Sequence, residues 1–430
     1  MDNSVYKVNK WKKEVDLTAD VPSSKSVLAR ALVLSALSDG KCTLNNVVLS
    51  QDTRTMLVAL RDLGFSVFFS AGMKQVRIQG MNGEIPKKEA TIYVGNSGTA
   101  ARFLVGMLAL TDGTYTVNAS QQMMARPMKE LIVILRKLGA KISCPGKEGH
   151  FPIKIEGKRP KENKDIDVVV DVTRSTQFVS SLLMVLPLMN CNSKITTVGS
   201  FRDAYIKMTV KMVERFGQSI ECVNNEYRIT GNGHYTSSVF DIEPDVSSAC
   251  YFYTLPMLFK GKAKVNKVTR ESVQGDMDFL KLLESLGAKL TEDEDGGLVL
   301  SYDKELPEGD LSFDMENFSD QTATLAILSA IRKGSTTISG IGHIRHQECD
   351  RISVIRENLE NCGIKCIEFD DSMTIIGGKP HGATINPHGD HRMAMAFTIL
   401  GLLTGDMIIT DYECVGKTFA EFFEEIEKHE

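Results

Sequence analysis

One pattern recurs along this chain at nearly constant spacing, and it limits what the chain can fold into. An amphipathic segment runs through a Leu-, Phe- or Cys-containing turn into a glycine and then a short apolar run. It reads LRDLGFSV at Gly64, LRKLGAKI at Gly139, VERFGQSI at Gly217, LESLGAKL at Gly287 and LENCGIKC at Gly363, the copies being about 75 residues apart. Apolar residues at i, i+3 and i+4 predict a surface helix, stopped by a glycine able to take the left-handed C-terminal cap. The apolar run that follows predicts a strand. KTFAEFFEEIEKHE, from Lys417, ends the chain where the helix of a sixth copy would finish.

A second kind of helix is predicted once per repeat, upstream of the first. The six begin at Ser23 (SSKSVLARALVLSAL), Gly98 (GTAARFLVGMLAL), Ser175 (STQFVSSLLMVLPLM), Ser247 (SSACYFYTLPMLF), Ser319 (SDQTATLAILSAI) and Gly389 (GDHRMAMAFTILGLL). Ala, Leu and Met lie on nearly all their sides, so they belong in a core. Alternating strands such as TYTVNAS, STTISG and DMIITD follow most of them. The repeating unit is thus βαβαββ-like, and six of them predict an α/β (α+β) protein of two three-unit domains, helices inside and sheet outside.

The chain has 430 residues, a formal charge of −5, 42% apolar and 24% charged residues. That length supplies real cores, and the mildly acidic, mixed charge excludes a dedicated nucleic-acid binder. MDNSVYKVNKWKKEVDL is no secretory signal, and the apolar stretch Ser181 to Met189, interrupted by Pro187, is far short of the roughly 20 residues of a membrane span. Nine scattered cysteines form no C-x-x-C pair, and a reduced cytoplasmic setting is expected.

The buried helices start on Ser, Thr, Asp or Gly, which N-capping alone explains at about 1 kcal/mol each. Lys25, Arg102, Gln177, Asp320 and Arg392, however, sit in or near the first turns of five of them. A helix start already carries partial positive charge, so cations there are wasteful unless an anion is to be held. Four motifs share this character. They are PSSKSVLAR with Lys25 and Arg30, VGNSGTAAR with Gly95 and Gly98, ARPMKEL with Arg126, and a C-terminal set of QECDR (Glu348, Arg351), GDHRMAM (Arg392) and CVGKTF (Lys417).

Taken together, GN-x-GTA-x-R, DHRMAM and x-KTF make the chain resemble, over essentially its whole length, the 5-enolpyruvylshikimate-3-phosphate synthase family of enolpyruvyl transferases. The resemblance implies a two-domain inside-out α/β barrel, one domain from residues 1–21 plus 242–430 and the other from 22–241. It implies transfer of the enolpyruvyl group of phosphoenolpyruvate to the 5-hydroxyl of shikimate 3-phosphate, through a tetrahedral intermediate and with release of phosphate. It also implies no cofactor or metal, a monomer, and glyphosate as a competitor of phosphoenolpyruvate. Lys25, Asn96, Gly98, Arg126, Gln177, Arg351, Arg392 and Lys417 match the family's phosphoenolpyruvate residues. Lys25, Ser26, Arg30, Ser175, Thr176, Gln177, Tyr205, Asp320, His343 and Gln347 match those for shikimate 3-phosphate. Asp320 matches the acceptor of the hydroxyl proton and Glu348 the group acting at the methylene, with Lys25 as the acid.

The chemistry suits these residue types. The two substrates bring up to about six negative charges, and two unit charges ~4 Å apart at an effective dielectric of ~20 interact by about 4 kcal/mol, so several cations are required. Alone, Asp320 in FSDQT reads first as a helix cap, and only the resemblance turns it to catalysis. The chain departs from the family in Gln347 for a usual Lys, His343 for Asn, Ser23 for Gly and Phe103 for Pro. The serine before Tyr205 falls on Ser200 or Arg202. The rivals are a different hydroxylated acceptor such as a UDP-sugar, a metal hydrolase built on His388, Asp390 and His391 or on His343 and His346, and a non-enzymatic repeat scaffold. The UDP-N-acetylglucosamine transferases differ by Lys-Asn where this chain has Lys25-Ser26.

Overall fold

A computed structural model describes residues 4–160, 164–199, 202–231 and 233–430. The chain divides into two compact units, Met1–Pro22 with Glu243–Glu430, and Ser23–Ile242. In the contiguous unit the core helices are Lys25–Leu37, Gly98–Ala109 and Gln177–Val185; in the discontinuous one they are Val246–Phe259, Thr322–Ile331 and His391–Thr404. Every residue of Gly98–Ala109 is buried, as an all-round apolar helix requires.

The strands alternate buried and exposed residues, as in VDLTA of Val15–Ala19, so each sheet turns one face to the helices and the other to solvent. The second, third and fifth repeats build their sheets from their own strands alone, and in one way. The strand before the buried helix pairs parallel with the strand after it, and that strand pairs antiparallel with the last strand of the unit. In the second repeat these are Glu89–Tyr93, Gly113–Asn118 and Ile153–Gly157, with Lys141–Ser143 outermost. A parallel pair needs a crossover, and the buried helix supplies it.

Three sheets are completed by distant chain. Val15–Ala19 pairs with Gly261–Val265, so the whole contiguous unit is inserted between a strand and its helix. That unit closes on itself through Val239–Asp241 beside Lys41–Asn45. At the other end Val5–Val8 pairs with Met407–Thr410 and fills the place that the sixth repeat, ending at its outer helix, leaves open.

The five repeat glycines end the outer helices Gln51–Asp62, Lys129–Lys137, Ala204–Arg215, Met277–Ser285 and Arg351–Asn361, all at positive φ between +82° and +110°. The sixth helix differs from the sequence expectation. It runs only over Phe422–Glu427, because Lys417 closes a 3-10 turn, Tyr412–Lys417, and Phe419, Phe422 and Phe423 pack into an aromatic cluster with Tyr6 and Tyr412. Thr322–Ile331 likewise starts later than Ser319, since Ser319–Gln321 forms a separate 3-10 turn.

At Gly139 (φ +110°) an added Cβ would meet no atom within 4 Å. Gly139→Ala is therefore expected to lower the unfolding free energy by about 1–2 kcal/mol through backbone strain alone, read from urea denaturation.

Candidate active site

In the contiguous unit the first turns of the core helices carry most of the expected residues. Ser24 and Ser97 cap their helices through Oγ, accepting from the N–H of Val27 (3.4 Å) and Ala100 (3.3 Å). Lys25, the first helical residue, puts Nζ 3.0 Å from the carboxylate of Asp52. Gln177 joins two helix starts: its Oε1 accepts from Arg102 Nη1 (2.8 Å), and its Nε2 donates to Thr99 Oγ1 (3.3 Å). The Gln177 N–H is taken by Ser175 Oγ at 3.3 Å, while Thr176 makes no side-chain cap bond.

Gly98 lies directly against two guanidiniums. A Cβ there would stand 2.5 Å from Arg102 Nη1 and 3.1 Å from both terminal nitrogens of Arg126. The Arg126 Nε is buried and, among the described residues, has no acceptor. A buried N–H left so is costly in a folded protein. Asn96 has Nδ2 on Gln122 (2.7 Å) and a buried Oδ1 with no partner among the described residues.

Arg30 is held mainly by the protein itself. It is 2% exposed, and it donates to Thr209 Oγ1, Ser180 Oγ, the Ser26 carbonyl and the Tyr205 carbonyl at 2.7–3.4 Å. Among the described residues one Nη1 N–H has no acceptor. The guanidinium also lies 5.2 Å from the ring centre of Phe103 and 5.9 Å from that of Tyr205. Burial pulls its pKa down to about 10. Arg30 thus braces the backbone of two expected ligand residues, and Phe103 underlies it. Ser200 lies outside the described residues, and Arg202 donates to the Val172 and Thr173 carbonyls.

In the discontinuous unit the expected residues converge on one group. Arg351 is 3% exposed and divides its guanidinium among three carboxylates: Nε to Asp390 (2.7 Å), Nη1 to Asp320 (2.8 Å) and Nη2 to Glu348 (2.9 Å). Glu348 is also paired with Lys417, and Asp320 with Arg392 Nη2 at 2.7 Å. Burial alone would loosen the hold of Arg351 on its proton, but Asp390, Glu348 and Asp320 outweigh burial and keep its pKa above the ordinary arginine value. Burial, then Asp390, pushes the neighbouring Cys349 thiol far up, which leaves it unreactive.

Asp320 is not a helix cap. It sits inside the Ser319–Gln321 turn with its carboxylate on Arg351 and Arg392. Ser319 Oγ lies 2.7 Å from His343 Nε2, so His343 reaches the turn that carries Asp320. Gln347 is half-buried at the end of the Gly342–His346 turn. Among the described residues no three His, Cys, Asp or Glu side chains group as metal ligands, and His388 faces Glu357 at 3.5 Å.

Sequence inspection missed Asp52, the partner of Lys25, and the role of Asp390, fully buried between Arg351 and the Arg392 N–H (2.9 Å). Asp390 carried a signal as the Asp of GDHR, at an N-cap; Asp52 carried none.

The family model described as EPSP synthase (3-phosphoshikimate 1-carboxyvinyltransferase) matches residues 9–426. A 3-phosphoshikimate 1-carboxyvinyltransferase of Trichormus variabilis is 33% identical over 411 residues, covering 95% of either chain. One from Methanospirillum hungatei is 32% identical over 420 residues, covering 96% of each. The solved EPSP synthase of Acinetobacter baumannii superposes with a TM-score of 0.80 at 26% identity, over 99% of this chain and 98% of that one. With its sixfold repeat, its two units of inward helices and this match from end to end, the chain belongs to the EPSP synthase family.

Proposed function

We propose that the chain transfers the carboxyvinyl group of phosphoenolpyruvate to the 5-hydroxyl of shikimate 3-phosphate and releases phosphate. The observation that carries this is the Arg351 cluster. Two carboxylates, Asp320 and Glu348, are held within one buried network by Arg351, Arg392 and Lys417. Such a network is close to neutral, so an arriving polyanion must take cations away from carboxylates. The phosphate and carboxylate of phosphoenolpyruvate suit forked guanidiniums. As Arg351, Arg392 and Lys417 turn to the ligand, Asp320 and Glu348 lose counter-charge and become better proton acceptors.

The proton inventory then closes. The acceptor hydroxyl attacks the central carbon of phosphoenolpyruvate and gives its proton to Asp320, while the methylene carbon takes a proton from an acid, Lys25 or protonated Glu348. The tetrahedral intermediate expels phosphate as the new methyl gives up a proton to Glu348, and the proton held on Asp320 leaves with the phosphate; where Lys25 was the donor, Glu348 then loses its proton to solvent and Lys25 regains one. Ser26, Ser175, Thr176, Gln177 and Tyr205 supply hydroxyl and amide groups for the polyhydroxylated acceptor. Arg126 and the Gly98 backbone offer N–H groups to phosphoenolpyruvate. In this scheme the enzyme acts as a cytoplasmic monomer without cofactor or metal. The described residues include no helix long and apolar enough to cross a membrane, and all nine cysteines are free thiols.

Phosphate release from phosphoenolpyruvate tests the assignment directly. Turnover is expected with shikimate 3-phosphate and far less with shikimate or UDP-N-acetylglucosamine; a preference for another acceptor would redirect the assignment to the site of Gln347. Asp320→Ala is expected to keep its far-ultraviolet circular dichroism and lose at least about a hundredfold in kcat. Near-normal turnover would remove Asp320 from the proton path. Glyphosate, with its phosphonate and carboxylate, is expected to compete with phosphoenolpyruvate. Gly98→Ala, forced against Arg102 and Arg126, is expected to raise the KM for phosphoenolpyruvate about tenfold or more. A KM equal to that of the parent enzyme would show that these guanidiniums are not at the ligand.

A further inference from the structure

Resting on the carboxyvinyl-transfer assignment above, we propose that Asp276 is a positioning residue for this reaction: its buried carboxylate, acting through Ser247, holds Arg392 in place on Asp320.

Asp276 occupies the N-cap of the outer helix Met277–Ser285 yet makes no cap bond to it. A capping aspartate would accept from an N–H of its own first turn. Here the side chain turns inward instead and is 5% exposed. One oxygen accepts from Ser247 Oγ (2.7 Å) and the other from Gln321 Nε2 (3.2 Å). Gln321 is fully buried, also reaches the Ser247 carbonyl (3.3 Å), and directly follows Asp320. With its proton committed to Asp276, Ser247 Oγ is left with lone pairs, and Arg392 Nη2 lies 3.4 Å away, the same nitrogen that meets Asp320 Oδ2 at 2.7 Å. Carboxylate, hydroxyl, guanidinium and carboxylate therefore form one directed chain that crosses the starts of three core helices. Without Asp276 the Ser247 hydroxyl could rotate and point its own proton at Arg392, a repulsive arrangement.

The charges around Asp276 agree with a held rather than a solvated carboxylate. It is faced by Asp320 from the Ser319–Gln321 turn, Arg392 from the His391–Thr404 helix, and Cys250 from Val246–Phe259, whose thiol lies 3.8 Å from the Asp276 main-chain oxygen. Burial, then the charge of Asp320, pushes its pKa up to about 6, against the pull of Arg392, Ser247 and Gln321. The folded state binds this proton more tightly than the unfolded state, so ionising Asp276 costs stability as pH rises from the ordinary carboxylate range through about 6.

The test uses the full-length enzyme and two variants, Asp276→Asn and Ser247→Ala. Asp276→Asn keeps the shape and removes the charge. It is expected to raise the KM for phosphoenolpyruvate about tenfold, leave the KM for shikimate 3-phosphate within twofold, and lower kcat. Its melting temperature relative to the parent is expected to be more favourable at pH 7.5 than at pH 4.5. Ser247→Ala, which breaks the chain and keeps the carboxylate, is expected to show the same KM split. Unaltered kinetics in Asp276→Asn, or equal losses for both substrates together with a lower melting temperature at pH 7.5, overturn the assignment of Asp276. A parent enzyme inactive with shikimate 3-phosphate overturns the transfer assignment first, and this one with it.

Discussion

A guanidinium buried as deeply as Arg351 stays charged only if counter-charge goes in with it. Three carboxylates do so here, and the elements that carry them must meet: Asp320 on a 3-10 turn, Glu348 just before the Arg351 helix, and Asp390 at the cap of a core helix. The apolar core places the helices, but this shared ion fixes how their starts face one another. Removing one member would leave an uncompensated buried charge, which costs several kcal/mol. The same interaction makes the cluster responsive, since any strong anion competes with Asp320 and Glu348 for the cations.

The two units use one device for different ends. Ser175-Thr176-Gln177 and Ser319-Asp320-Gln321 both open a core helix with a serine and a glutamine around a variable middle residue. In each, the glutamine reaches across to a neighbouring repeat: Gln177 to Arg102 and Thr99, Gln321 to Ser247 and Asp276. The middle residue differs in chemistry. Thr176 is a neutral hydroxyl, while Asp320 is a carboxylate on two arginines. The two units thus share the bracing, while the residue between the braces differs in chemistry.

The periodic parts of this architecture were legible from residues alone. Glycines at 64, 139, 217, 287 and 363 end outer helices at positive φ, and the Ala- and Leu-rich segments are core. The signal there is local, lying within a few residues of helix. Contacts between residues far apart were not legible. Lys25 with Asp52, Arg30 with Thr209, and Asp276 with Ser247 leave no pattern, because nothing in spacing says which buried polar groups will meet. Arg30 shows the limit well: the motif gave its importance, but only packing shows that most of its donors are spent on the protein. The late start of the last helix had the same origin, since aromatic packing around Tyr6 overrides the helical pattern that begins at Lys417.

The sheet that joins Val5–Val8 to Met407–Thr410 also sets an order of events at the ribosome. Ser23–Ile242 is one uninterrupted stretch and holds every strand of its own three sheets, so it can finish folding while the remainder is still being made. The other unit cannot. Its strands Val5–Val8 and Val15–Ala19 are made before the contiguous unit and must wait, unpaired, for partners made after residue 242, the former until residues 407–410 have been made. An edge kept waiting that long is exposed to wrong pairing. The lysines at positions 7, 10, 12 and 13 put like charge beside that edge, which discourages association with another nascent chain.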